Sequence, residues 1–121
     1  MPAYNFQSRF APLVKSGRKR QTIRRKRKDG RVPKVFDPLY LYTGQRTKHC
    51  RRLRVSKCRA VLPITMTGGK LAVSCVTVNG RSLPHHECEW LAKADGFRDW
   101  EEMRHWFAKP GLPFHGHIIL W

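Results

Sequence analysis

A chain of 121 residues with 40% hydrophobic and thirteen aromatic residues has enough apolar mass to close one core, which excludes a disordered basic tail and two independent domains. Its net charge of +17 lies in one half: residues 1–59 hold nineteen Lys and Arg against Asp29 and Asp37, whereas residues 60–121 hold six of each sign. No apolar run approaches the roughly 20 residues that span a bilayer, and the opening MPAYNFQSRF lacks the order of a leader peptide, so a single cytoplasmic domain (1–121) without a membrane partner is expected.

In chain order, the pattern predicts a helical turn near 9–16 and an exposed basic loop over 24–34, RRKRKDGRVPK, where Asp29-Gly30 and Pro33 mark a turn. Strands are predicted over 38–43, 52–61 and 70–78, the last bounded by Gly68-Gly69 and Asn79-Gly80. Pro84 suits a first helical turn, and 84–94 reads as a helix ended by Gly96, with His86, Trp90 and Ala94 on one face. Asp99 followed by Glu102 resembles a capping box ahead of a second helix, 100–108, carrying Trp100, Met103 and Phe107 on one face. A closing strand is predicted at 116–121. This order describes an α+β domain built on a small barrel.

Cys50, Cys58, Cys75 and Cys88 are irregularly spaced, so reduced, buried thiols are expected. His49 adjoins Cys50, and His85, His86 and Cys88 cluster, but neither set has the close CxxC-like pairs of structural zinc sites. No metal or other cofactor is predicted.

A field polarised toward one half points to a polyanionic partner, RNA or another single-stranded nucleic acid. The candidate phosphate contacts are Arg9, Arg18, Arg20, Arg24, Arg25, Lys26, Arg27 and Lys28, with Arg51, Arg52 and Arg54 from a second basic set that also holds Arg46, Lys48, Lys57 and Arg59. Six to ten such contacts imply an affinity loss of about 10³ to 10⁵ between 50 and 200 mM salt. Tyr4, Phe6, Phe10, Tyr40 and Tyr42 offer rings for base stacking. Tyr40 and Tyr42 share one strand face and Leu39 and Leu41 the other, so one of these pairs belongs to the core. Trp90, Trp100, Trp106 and Phe107 fall at helical spacing in the neutral half and are expected in the core.

The segment 6–24, FQSRFAPLVKSGRKRQTIR, resembles the opening motif of ASCH domains, a branch of the PUA-like barrels, through Phe6, Gln7, Arg9-Phe10, Gly17-Arg18-Lys19 and Thr22-Ile23-Arg24. The pattern of the small bacterial N4-acetylcytidine amidohydrolases is particularly similar. Asp95-Gly96-Phe97, followed by WEEMRHWF, resembles the motif ahead of the family's second helix. Residues 30–80 match only in their run of strands, so the motifs cover about a third of the chain. The resemblance implies a small PUA-like (ASCH) β-barrel with flanking helices and a nucleotide or modified-base pocket.

The residues themselves supply a chemistry for that pocket. Crowding of Lys19 by Arg18, Arg20, Arg24 and Arg25, together with burial, favours a neutral amine able to act as a base. Thr22, three residues on, places a hydroxyl near that amine if the segment turns, giving a nucleophile with its own base. The resemblance puts Asp95 where the amidohydrolases carry Glu, one methylene longer. The expected function is an RNA-binding domain whose pocket forms around Lys19, Thr22 and Asp95. Two alternatives stand beside it: an amidohydrolase of N4-acylated cytidine, and a metal-independent ribonuclease using the His115/His117 or His85/His86 pair against the ribose 2′-OH. A blander outcome also stands, in which Lys19 and Thr22 only grip a phosphate backbone from an edge strand.

Overall fold

The computed structural model describes residues 3–121. In chain order it contains β1 (Ala3–Phe6), α1 (Ala11–Ser16), β2 (Gln21–Arg25), β3 (Pro38–Thr43), β4 (Arg51–Lys57), β5 (Ala60–Gly68), β6 (Val73–Val78), β7 (Arg81–Ser82), α2 (His85–Ala94), α3 (Trp100–Ala108) and β8 (Phe114–Leu120). One sheet has the order β1-β3-β4, with β1 parallel to β3; the other, β2-β8-β5-β6-β7, is antiparallel throughout. The fold is α+β, and among the described residues the strand ladders form these two sheets and do not join them into one. No helix is long and apolar enough to cross a membrane among the described residues.

Period-two alternation sets the faces of the small sheet. Leu39 and Leu41 of β3 are fully buried, while Tyr40 and Tyr42, out of phase with them, are half-buried on the opposite face. In the larger sheet β8 lies between β2 and β5, so both of its edges are paired and its Ile118 and Ile119 are buried. Gly116 lets β2 come close: a Cβ there would run into the Arg24 carbonyl. Trp100, Met103 and Phe107 project from α3 into the same core as Val73 and Val76 of β6.

Several expectations need correction. The run 52–61 is two strands in different sheets, because successive residues change partner: Cys58 N–H bonds Asp37 O, whereas Arg59 N–H bonds Leu120 O. A corner made this way needs no turn residue. Arg24 and Arg25 belong to β2 rather than to a loop, and Pro33 is buried, tying the basic segment down. Trp90 is 66% exposed and stands edge-on to His86 at 5.1 Å; α2 instead buries Cys88 and Ala92, whose small side chains let the helix pack closely. Of the four free cysteines, Cys58 and Cys88 are buried, but Cys50 and Cys75 are exposed. The helix signals fared better. Asp99 caps α3 by accepting from Glu102 N–H at 2.8 Å, while the Glu102 carboxylate turns back onto Arg98 N–H at 2.8 Å.

Candidate functional site

The site begins where α1 stops. Gly17 takes φ +85 and donates its N–H to Val14 O, and Lys19 N–H then bonds Leu13 O at 2.9 Å. This turn sends the Lys19 side chain inward while Arg18 and Arg20 stay at the surface. Lys19 keeps only 3% exposure and Asp95, at the end of α2, only 4%. Lys19 Nζ lies 3.1 Å from Asp95 Oδ1 and also donates to the Asp95 carbonyl; Gln21 Nε2 reaches the same Oδ1 at 3.4 Å. Gly96 follows at φ +96, and a Cβ there would come within 2.9 Å of Phe10 and 3.2 Å of the Lys19 stem. Glycine meets both demands at once, a left-handed backbone and room for the lysine.

Burial governs proton affinity in this pair. Loss of water lowers the Lys19 pKa below the ordinary lysine value, against the opposing pull of Asp95, and Arg24 adds a smaller push in the same direction. The Asp95 pKa is raised by its own burial, against the opposing charge of Lys19 and the hydrogen bond from Gln21. Both expected causes of a lowered Lys19 pKa act, in unequal measure. Arg18 and Arg20 face solvent, where water screens them, so desolvation leads and like-charge crowding follows.

Thr22 is buried in β2, and its hydroxyl accepts from Arg24 Nε at 3.0 Å. Among the described residues no hydrogen bond joins Thr22 to Lys19, so the hydroxyl is held by Arg24 and the amine by Asp95. Arg24 also donates through Nη2 to Asn5 O at 2.8 Å and lies over the rings of Tyr4 and Phe6 at 5.3 and 5.1 Å. It thus braces β2 of one sheet against β1 of the other, and its burial lowers its pKa. Held this way, the half-buried guanidinium is a strut between the two sheets.

Lys19, Thr22, Arg24 and Asp95 all border one cavity of about 180 Å³, walled on its apolar side by Phe6, Phe10, Phe97, Trp106 and Phe107. The cavity is smaller than the roughly 300 Å³ at which drug-sized pockets begin, so it suits one ring system rather than an extended ligand. No histidine lines it. Asn5, Phe6 and Gln7 are shared with an open surface groove of about 870 Å³, whose other bank carries Lys48, His49 and Arg51. Asn5 Oδ1 holds that bank in place by accepting from Gln45 N–H at 2.9 Å.

The predicted phosphate contacts separate into two groups. Arg9 pairs with Glu102 at 2.8 Å and stacks on Phe10 at 4.7 Å, and Arg27 pairs with Asp29 at 3.2 Å. With Arg24 turned inward, eight of the eleven remain without a carboxylate partner among the described residues: Arg18, Arg20, Arg25, Lys26, Lys28, Arg51, Arg52 and Arg54. Arg54 lies beside the end of α1, its Nη1 2.9 Å from where a Gly17 Cβ would stand. No group of His, Cys, Asp and Glu among the described residues is arranged to hold a metal ion.

Sequence reasoning missed Gln21; it assigned Arg9 to phosphate, where the structure pairs it with Glu102 and lays it on Phe10, and of the cavity's rings it named Phe6 and Phe10 for stacking but not Phe97. Gln21 carried one usable signal: it is a polar residue two positions from Lys19, so an inward turn at one implies an inward turn at the other. Trp106 and Phe107 were assigned to the core, which they join while also facing the cavity. No family model, curated protein or solved structure matches this chain.

Proposed function

We propose that the chain is an ASCH-type, PUA-like domain that binds single-stranded RNA, its cavity taking one base or modified base while the strand follows the basic groove beside it. The observation that carries this reading is convergence: Lys19, Thr22 and Asp95, up to 76 positions apart in sequence, border one aromatic-walled cavity. Aromatic walls offer stacking, and the hydroxyl, amine and carboxylate offer the mixed donors and acceptors that a base edge requires. The groove supplies the polymer path that the charge of +17 calls for. The barrel belongs to this reading, with Arg24 bridging the edges that ladder hydrogen bonds leave open.

A second reading, hydrolysis of N4-acylated cytidine, draws on the lowered proton affinity of Lys19 beside Thr22. In it the Thr22 oxygen attacks the acyl carbonyl, Lys19 takes the hydroxyl proton and returns it to the leaving amine, and water releases the acyl group. The hold of Asp95 on Lys19 and of Arg24 on Thr22 favours binding over this chemistry.

Thr22→Val separates the two, because it removes the hydroxyl and little volume. In the binding reading, wild-type protein shows no turnover of acetylated cytidine. Thr22→Val then weakens RNA binding several-fold, the share of one hydrogen bond of about 1 kcal/mol, and leaves heparin binding unchanged. Turnover that disappears in Thr22→Val establishes the enzyme instead.

A further inference from the structure

Outside the cavity, the most anomalous residue is Phe36. It is 78% exposed and adopts φ +77, a left-handed backbone that a bulky side chain avoids. The chain holds it there firmly. Phe36 N–H bonds Cys58 O at 2.7 Å, Asp37 N–H bonds Lys34 O at 3.0 Å, the Asp37 carboxylate accepts from Lys34 N–H at 2.8 Å, and Cys58 N–H returns to Asp37 O at 2.8 Å. A strained backbone, fixed by four hydrogen bonds, thus holds out an aromatic ring that contributes nothing to the core. Strain kept in this way points to a use for the ring.

The surroundings identify the use. Two residues after Phe36 the strand β3 begins, and one of its faces carries Pro38, Tyr40 and Tyr42, whose partners on β4 are Lys57, Val55 and Arg52. Tyr40 and Tyr42, alternate residues of that strand, stand about 6.6 Å apart, which leaves room for a separate base against each of the two rings. Lys34, Lys57 and Arg59 supply positive charge around Phe36, and the one nearby acid, Asp37, is occupied by the Lys34 backbone. Flat rings spaced along a basic face fit unpaired bases on a phosphate backbone; the bases of a duplex are already stacked on one another.

We propose that Phe36, with Tyr40 and Tyr42 behind it, is a stacking platform for a single-stranded nucleic acid, distinct from the cavity. It shares with the proposed function only the class of partner. None of these three residues lines the cavity.

Phe36→Gly tests this, since glycine removes the ring and relieves the backbone. The thermal midpoint is expected to stay level or rise, while affinity for a short oligouridine falls about 5- to 150-fold, the range for one lost stack. Heparin, which has charge but no bases, should bind Phe36→Gly as it binds the parent. In Phe36→Trp, oligouridine affinity is retained and the new indole fluorescence is quenched on binding. Oligouridine affinity unchanged in Phe36→Gly, as for a ring that docks a protein, overturns the platform; so does an equal loss for heparin. Because Thr22→Val reports on the cavity and Phe36→Gly on the sheet face, either can fail while the other stands.

Discussion

Asp95→Leu is expected to destabilise the fold by about 3–5 kcal/mol, because it leaves the Lys19 amine buried without its carboxylate. Most of that loss should return in the double variant Lys19→Met/Asp95→Leu, in which the ion pair is exchanged for apolar packing among Phe6, Phe10 and Phe97. Denaturant unfolding of the parent, Asp95→Leu, Lys19→Met and the double variant gives the coupling directly. The pair also shapes the pH dependence. Asp95 has a folded pKa above its ordinary 3.8, so its contribution is most favourable below 3.8 and is lost as pH rises through the folded value. Lys19 has a folded pKa below its ordinary 10.5, so its penalty is fully present below the folded value and is relieved as pH climbs toward 10.5. Together they make a trough of stability at intermediate pH. The stability of the double variant relative to the parent should therefore be highest there and fall toward both extremes; a constant difference across pH would show that burial does not control the two groups.

Salt should act on a different part of the molecule. With Arg9 and Arg27 paired and Arg24 held between the sheets, eight predicted contacts remain for phosphate. At a slope of about 0.7 per contact on a single strand, raising salt from 50 to 200 mM should weaken RNA binding by about 10³-fold. Arg51→Ala, on the groove, should lower that slope by about 0.7. Thr22→Val should leave the slope unaltered, since a hydroxyl releases no counterions. If Arg51→Ala loses affinity without any change in slope, the groove does not carry the phosphates.

How far the sequence could be read depended on how local each signal was. The strand 38–43 and the helix 100–108 were legible because alternation in PLYLYT and the Asp99 cap act within a few residues. The corner at Cys58–Arg59 was hidden because it is made by a change of hydrogen-bond partner between sheets. Trp90 was misplaced because α2 offers two faces, and tertiary packing chose the one with smaller side chains. Of the candidate trio, Lys19 and Thr22 drew notice from their own setting, and Asp95 only through the ASCH resemblance. Nothing local in Lys19 or Asp95 announces a contact 76 residues apart, and the burial that tunes both groups exists only once α2 and the α1–β2 turn meet. The role of Arg24 was obscured by its setting, since in a run of cations the one that turns inward looks like its neighbours.

The central claim is that a base enters the cavity bounded by Lys19, Thr22 and Asp95, and the Trp106 indole, which lines that cavity, reports on it most directly. In a nitrogen–proton NMR titration with short single-stranded RNA, the Trp106 indole N–H and the backbone amides of Thr22 and Gly96 should shift together and saturate at the same RNA concentration. Shifts confined to the basic segment 24–34 and to Arg51, Arg52 and Arg54, with Trp106 and Thr22 unmoved at saturation, would contradict it.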